Sequence, residues 1–600
     1  MSIAAGVAVG GAGDELKGLR PAHPRLLAVA ADWRIIAERR AREPDFAELA
    51  GWIIRHARAA ADLPPVERVQ TGRRLLAVSR ETLRRVLHHA AAFRMTGDRV
   101  FVEAARREML AASAFSDWNP SHFLDVGEMS AALGIGYDWL FDELDNGTRA
   151  TIRAAIVRHG LQPALARTPA KFFYTARHNW NQVCLGGLAL GALAIAEDEP
   201  ALAGEMIAAV RAHIGNGLSA YAPDGVYPEG PMYWYYGTSY QVALIEAMRT
   251  ALGTDGDMSR AAGFLASAEF MLHLQGPTGQ WFNYADAGQG SKCDPTPLWF
   301  ARELRRPALC AATLAALRAS AQNDGAALRS ERLMPLALVW WPSPEIAATA
   351  LEPLHWHGRG PNPVAVWRTA WNEPDAVFFA IKAGGAGVNH GHMDAGSFVL
   401  DAGGVRWALD LGRQDYESLE RHGLSIFGRT QDATRWTIFR MNNHAHNTLT
   451  IGEALHRVDG LAKLTRADPA GAELDLSPVF AGQAERVTRS VRWRGAQGVE
   501  LEDRIEGAPP GADIRWAMIT DADPGAEGLD VVLRRNDRAL AIRFEAAAAR
   551  IEIVSVEETG GYNASNPGCR RIELHTRADV AGRALIRAAL IPDGAERWLR

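Results

Sequence analysis

Four cysteines in 600 residues are too few for a disulfide framework, and they lie far apart. Cys184, Cys293, Cys310 and Cys569 form no CxxC pair, so they read as buried thiols rather than staples or a zinc knuckle. Long apolar runs are missing too. None approaches the roughly 20 residues a membrane span needs. There is no basic surplus: 65 Lys and Arg stand against 70 Asp and Glu, for a formal net charge of -5. Without basic tracts the chain does not fit a nucleic-acid binder. A polyanionic substrate would need cationic contacts local to a cleft, because the overall balance would not draw it in. The N-terminus, MSIAAGVAVGGAGDELKG, puts no Lys or Arg ahead of its short apolar stretch. That makes a poor secretory signal and leaves a cytoplasmic protein or an atypical leader as the alternatives. No strict repeat is present, which argues against a regular solenoid.

What is present is ordinary globular material, with 48% hydrophobic and 22% charged residues. The length exceeds what one core can serve, so at least two domains are expected. The first half reads as helices. Between Phe123 and Phe141 apolar residues recur at three- and four-residue steps, with few β-branched side chains. Similar patterns run from about Asn181 to Ile195 and from Tyr240 to Leu252. Turn chemistry joins them at Asn146-Gly147, Pro223-Asp224-Gly225 and Gly276-Pro277-Thr278-Gly279. So many helices in succession pack as a bundle, a solenoid or a closed toroid. A Pro/Gly-rich stretch from Trp341 to Pro363 marks a junction. Beyond it the texture changes to short strands: 377–382, 397–400, 405–410, 448–451, 485–493, 499–505, 514–519 and 539–544. The expected fold is α+β and multidomain. It comprises an N-terminal extension (1–19), a helical domain (20–345), a linker (346–364) and an antiparallel β-sandwich (365–600).

Four segments carry candidate chemistry. Asn389-His390-Gly391-His392-Met393-Asp394-Ala395-Gly396 sets two histidines around a glycine just before a strand. Asp410 ends the following hairpin, and His446 begins another strand. Two neutral imidazoles and a carboxylate form a common zinc ligand set. The same residues would equally serve as a metal-free hydrogen-bonded cluster, and His444 is an alternative ligand. The second segment, Tyr174 to Asn181, opens a helix with His178, Asn179, Trp180 and Asn181 in succession. His178 and Asn181 share a face once the helix has begun, while Asn179 alone reads equally as a cap. The third holds Tyr227, Glu229, Tyr233, Trp234, Tyr235, Tyr236 and Tyr240. Aromatics beside polar groups suit sugar faces, and a tyrosine with a lowered pKa can transfer protons. Most of these rings are expected simply to pack. The fourth, Trp281 to Gly288, is a polar loop whose Asp286 could contact substrate.

Together these segments resemble the heparinase II/III family of polysaccharide lyases, in the same order and over nearly the whole chain. The resemblance implies an (α/α) toroid followed by a β-sandwich, and β-elimination on uronic-acid glycans. It implies a structural zinc held by His392, Asp410 and His446, with His390 as a catalytic histidine. Tyr233 matches the catalytic tyrosine, with Tyr236 as its competitor, and Tyr416 is the nearest candidate for a second tyrosine in the sandwich. His178, Asn179 or Asn181 matches the group that neutralises the substrate carboxylate. Trp180, Glu229, Trp234, Tyr240 and Asp286 are carried as substrate contacts. The implied partner is an acidic poly- or oligosaccharide, with a homodimer as an option. The implied location is the bacterial envelope, which the N-terminus does not support. Two other readings compete. One is a glycoside hydrolase on a helical toroid, using Glu229 and Asp286 or Asp224. The other is a non-catalytic glycan-binding protein.

Overall fold

A computed structural model describes residues 12–166, 171–290, 293–322, 331–342 and 352–592. Residues 1–11 of the expected N-terminal extension and 346–351 of the expected linker lie outside these. The chain divides into two compact units. The first comprises 1–220, 235–261 and 292–348; the second comprises 221–234, 262–291 and 349–600. The second unit thus takes in two segments from within the range expected to be helical.

The first unit is built from helices. The pattern read between Phe123 and Phe141 forms a helix at Leu124–Trp139, and the next forms Asn179–Ala194. Leu124–Trp139 is buried along its whole length, as expected of a helix with no polar face. The two helices pack backbone to backbone, because a Cβ on Gly187 would overlap the Gly127 carbonyl. Glycine is a steric requirement there. Amphipathic helices such as Pro44–Ala60 and Arg99–Ser113 bury one face only. Asp98 and Asp145 cap their helices by accepting from the backbone N–H of Val100 and Thr148. The helix expected over Tyr240–Leu252 starts nine residues earlier, at Pro231. Proline is favoured in the first turn, where its missing N–H costs nothing, and Gly237 is carried inside rather than ending the run. From Pro231 on, the aromatic segment is therefore helical. Among the described residues no helix is long and apolar enough to cross a membrane. The four cysteines are buried and free.

The second unit holds three antiparallel sheets. The first is a meander in sequence order: β1 (His355–Gly358), β2 (Val364–Arg368), β3 (Phe378–Lys382), β4 (Phe398–Ala402) and β5 (Val405–Ala408). β1 lies within the Pro/Gly-rich region that read as a junction and pairs with β2 just beyond it. β6 (Leu449–Ile451) is the edge of a four-stranded sheet in which it neighbours β11 (Asp513–Thr520), followed by β16 (Arg570–Arg577) and β15 (Arg550–Ser555). The largest sheet contains β7 (Lys463–Asp468), β8 (Gly471–Asp475), β9 (Arg486–Trp493), β10 (Val499–Glu506), β12 (Asp523–Glu527), β13 (Asp530–Arg535), β14 (Arg538–Ala546) and β17 (Ala584–Pro592). Its order is β12-β13-β14-β17-β10-β9-β8-β7. β9 and β10 alternate buried and exposed residues, as strands with one face on a core must. One apolar core joins all three sheets through residues such as Phe379, Phe398, Trp407, Trp516 and Leu590.

The helical unit also buries charge. Glu128, fully inaccessible to solvent, accepts from Arg332 at 2.7 and 2.9 Å, Arg80 at 3.0 Å and the Tyr240 hydroxyl at 2.5 Å. Burial pushes its carboxyl up, but the Arg332 and Arg80 guanidiniums outweigh this and hold it down at about 2. A carboxylate depressed on folding contributes its full stability above its unfolded value, 4.5. That contribution is lost as pH falls from 4.5 towards 2. Removing the charge leaves a buried arginine without its partner, so Glu128→Gln is expected to cost about 3–5 kcal/mol. Thermal melts of the variant and wild type, compared at neutral pH and near pH 3, should show a gap that narrows in acid.

Candidate functional site

The strongest cluster of polar side chains in the second unit gathers at the loop between β3 and β4. His390 takes a left-handed backbone conformation, φ 59°. For a residue with a Cβ this costs on the order of 1–3 kcal/mol, and such strain persists where the surroundings over-determine it. Here the surroundings do so. The His390 ring stacks on Tyr233, with centroids 3.7 Å apart and planes 10° apart. Its Nδ1 lies 2.8 Å from Asp286 Oδ2 and 2.9 Å from the Tyr416 hydroxyl. Its Nε2 lies 3.6 Å from Glu229 Oε1, and Glu229 accepts from the Asn389 amide at 2.6 Å.

The two tyrosines meet as well. Tyr233 and Tyr416 share a hydrogen bond of 2.8 Å between their hydroxyls, and Tyr416 donates to Asp286 Oδ2 at 2.7 Å. With the Tyr416 O–H directed at Asp286, Tyr233 is the donor to Tyr416. Tyr416 opens the short helix Tyr416–Arg421, whose N-cap Asp415 accepts from Ser418 N at 2.8 Å. The sequence reading wanted a tyrosine with a lowered pKa. The structure does the opposite: burial, then the nearby Asp286 carboxylate, push the Tyr233 hydroxyl up, and Tyr416 is raised for the same reasons. Tyr233 therefore stands protonated at neutral pH and is placed to give a proton, not to take one.

Beside this group lies the set expected to hold a metal. His392 sits 2.9 Å from Asp286 Oδ1 through Nε2, and its Nδ1 has no hydrogen-bond partner. His446 sits 2.7 Å from Asp410 Oδ2 through Nδ1, and its Nε2 has no partner. The two rings are 5.3 Å apart. Asp410 Oδ1 accepts from Gly412 N at 2.8 Å, so both its oxygens are engaged. Asp394, also buried, pairs with the Lys382 ammonium through one oxygen and leaves the other unpartnered. Burial raises the Asp394 carboxyl, but Lys382 outweighs it and holds the group low; Asp410 holds the His446 imidazole up against its burial. His392, Asp410 and His446 are not gathered as a ready-made trio. Among the described residues the one such trio, with ligand atoms within 4.8 Å of one another, is Glu552, Glu573 and His575. The pair of bare imidazole nitrogens, each backed by a carboxylate, is nonetheless the donor chemistry a zinc ion takes. His444, the alternative ligand, instead meets Arg515 and is lowered to about 4, by burial first and then by Arg515.

The remaining candidates lie elsewhere. Tyr236 and Tyr240 belong to the Glu128 cluster in the first unit: the Arg80 guanidinium lies 4.7 Å from the Tyr236 ring, and Tyr240 donates to Glu128. Trp234 is fully buried. In the first unit His178 stands at the N-cap position of the helix Asn179–Ala194 without a side-chain capping bond, and Asn179 is buried in its first turn. Trp180 packs against His122 and Phe172. The Asn181 amide is fully used: it donates to the carbonyls of Phe173, Tyr174 and His213 and accepts from Gly217 N. That is a clamp between a loop and a neighbouring helix.

Asp286, read as a loop residue that could contact substrate, is fully buried and meets His390 and His392 across 104 and 106 residues. Two further participants were not singled out in the sequence. Asn447 donates to Phe398 O and Leu409 O and accepts from Ile519 N, joining β4, the end of β5 and β11. Arg489, on β9, holds Asp503 through two bonds of 2.7 and 2.8 Å and donates to Gly396 O and Asn447 O at 2.7 and 3.0 Å. It ties the loop after His392 to the strand after His446. Alternation with Val487 and Val491 puts Arg489 on the inward face of β9; its partners are what the sequence does not show.

Residues 363–588 match the family model described as Heparinase II/III-like, C-terminal. No curated protein matches the chain. Among solved structures, a crystal structure of heparinase III is 14% identical with a TM-score of 0.57, over 86% of this chain and 76% of that one. A mutant heparan sulfate lyase from Pedobacter heparinus is 13% identical with a TM-score of 0.56, over 96% and 92%. A heparinase III gene product of 12% identity has a TM-score of 0.55, over 91% and 84%. Helices followed by antiparallel sheets, the arrangement described above, form the helical toroid and β-sandwich architecture of these structures.

Breaking the Arg489–Asp503 pair leaves a buried carboxylate without compensation. Arg489→Met is therefore expected to destabilise the sandwich unit by about 3–5 kcal/mol. Urea unfolding checks this, and an unchanged midpoint would show that the two carbonyls find other donors.

Proposed function

Since residues 363–588 form a heparinase II/III-like C-terminal domain, we propose that the protein is a polysaccharide lyase cleaving uronic-acid-containing glycans by β-elimination. One observation carries the reading. A protonated tyrosine, Tyr233, is stacked on an imidazole, His390, whose Nδ1 is held by Asp286. This is an acid and a base side by side. The reaction removes the C5 proton of a uronate and expels the sugar linked at C4. With Nδ1–H given to Asp286, His390 keeps a lone pair on Nε2, and this atom takes the C5 proton. Tyr233 gives its proton to the leaving oxygen, and Tyr416 supplies the path by which it is regained. Negative charge spreading into the substrate carboxylate needs hydrogen-bond donors, such as the asparagines the family resemblance assigns, or a cation. The exposed Arg413, whose charge reaches the Tyr233 hydroxyl, is available for that task. The substrate class is an acidic polysaccharide. The hydrolase reading needs a carboxylic acid with a proton to give, and Asp286 does not supply it. Burial would push the Asp286 carboxyl up, but the hydrogen bonds from His390 and His392 hold it well below the usual range.

Zinc, when bound, would organise the loop rather than activate water. His392 Nδ1 and His446 Nε2 would hold it, with Asp394 or Asp410 beside them. Asp286 and Asp410 fix which nitrogen each ring presents.

The product of β-elimination carries a C4–C5 double bond conjugated to the carboxylate and absorbs ultraviolet light. Incubation with heparan and chondroitin types, hyaluronan, alginate and bacterial exopolysaccharides should give rising absorbance with at least one. New reducing ends without absorbance would overturn the reading in favour of hydrolysis. Tyr233→Phe is expected to lower kcat by about 10²–10⁴-fold with the fold intact; wild-type turnover would remove Tyr233 as the acid. His392→Ala and His446→Ala should each lower the zinc bound per chain, as measured by elemental analysis. Undiminished zinc in both would place the metal elsewhere.

A further inference from the structure

We propose that Asp286 is a positioning residue that sets two histidines at once: the one that takes the proton and the one that faces the cation. The inference rests on the lyase reading for the role of His390. The carboxylate is fully buried, and its oxygens divide the work. Oδ2 meets His390 Nδ1 at 2.8 Å and the Tyr416 hydroxyl at 2.7 Å; Oδ1 meets His392 Nε2 at 2.9 Å. A carboxylate only accepts. Both imidazoles must therefore bring an N–H to it, and a neutral ring that does so has its lone pair on the far-side nitrogen. For His390 that nitrogen is Nε2, on the side of Glu229. For His392 it is Nδ1, which has no other partner. The tautomers of the two rings are thus tied to a single anion.

The loop bearing Asp286 is built to hold it still. Bridges between Gln275 and Trp281 and between Gln280 and Gly290 close its base. Asn283 and Gln289 both donate to the Asp410 carbonyl at 3.2 Å. The Tyr284 hydroxyl donates to Tyr227 O at 2.8 Å, and Ala285, next to Asp286, takes φ 59°. The backbone of Asp410, whose side chain orients His446, is therefore also the support for Asp286. The carboxylates behind the two cation-facing rings share one scaffold.

Asparagine tests this, because it keeps the shape and changes the hydrogen-bonding rule. An amide has one accepting and one donating arm, so it cannot take an N–H from both rings. One imidazole must turn a lone pair inward and carry its proton outward. If that ring is His390, the base is lost; if it is His392, the cation ligand is lost. If the turned ring is His390, Asp286→Asn is expected to lower kcat by about 10⁴-fold, the scale seen when a histidine in a catalytic triad is left in the wrong tautomer, with KM little changed. If it is His392, the variant should instead bind less zinc per chain, or lose its zinc at a lower chelator concentration. Asp286→Ala, which removes the anion, should regain part of kcat when formate or acetate is added. A merely structural aspartate would not show that rescue.

Wild-type kcat together with full zinc in Asp286→Asn overturns the proposal. So does a loss in Asp286→Ala that no small carboxylate restores, if Asp286→Asn keeps its zinc. Wild-type protein that gives no ultraviolet product on any glycan removes the lyase reading instead. In that case reduced zinc in Asp286→Asn still supports the hold on His392, and the two failures remain distinct.

Discussion

One buried ion pair decides where the site in the sandwich unit can be. Arg489 on β9 is fully enclosed, and its guanidinium is spent on Asp503, Gly396 O and Asn447 O. Two of those acceptors end the segments that carry His392 and His446. A guanidinium has five donors in a fixed fork, so it fixes both carbonyls relative to the large sheet and to each other. Asn447 repeats the device with an amide, joining β4, β5 and β11. The histidines sit on irregular chain, yet the chain is pinned at its ends by groups that have no other conformation open to them.

The two units bury charge for different ends. In the helical unit Glu128 draws two arginines and a tyrosine towards one carboxylate. Every arm is satisfied, and the result is a fixed core. In the sandwich unit Asp286 draws two histidines and a tyrosine towards one carboxylate. There the partners are groups whose second nitrogen or hydroxyl is left for something else. The same desolvation that makes Glu128 costly to remove makes Asp286 a source of direction.

Much of the architecture was legible because periodicity survives burial. The strands at β9 and β10 were readable from alternation alone, and the helix Leu124–Trp139 from its three- and four-residue steps. The helix Pro231–Leu252 was cut short because Gly237 and a run of tyrosines look like loop material. Strands β1 and β2 were hidden among prolines and glycines that belong to their turns. Of the site, the residues with distinctive side chains were legible: His390, His392, Asp410, His446, Tyr233 and Tyr416. What was not legible was direction. Nothing in the sequence says that Asp286 turns towards the histidines, that Asn181 spends its amide on carbonyls, or that burial raises the tyrosines. These depend on which side chains surround a group in space, and for Asp286 the partners lie 104 and 106 residues away.

The left-handed backbone at His390 has a consequence for how this loop tolerates change. Glycine would sit there without strain, and the chain places glycine on either side of the neighbouring His392-to-Asp394 run. Relaxing residue 390 would make the loop easier to form and remove the imidazole that meets Asp286, Tyr233 and Tyr416. Stability and chemistry therefore pull in opposite directions at one position, and a search for sturdier variants would favour discarding the imidazole first.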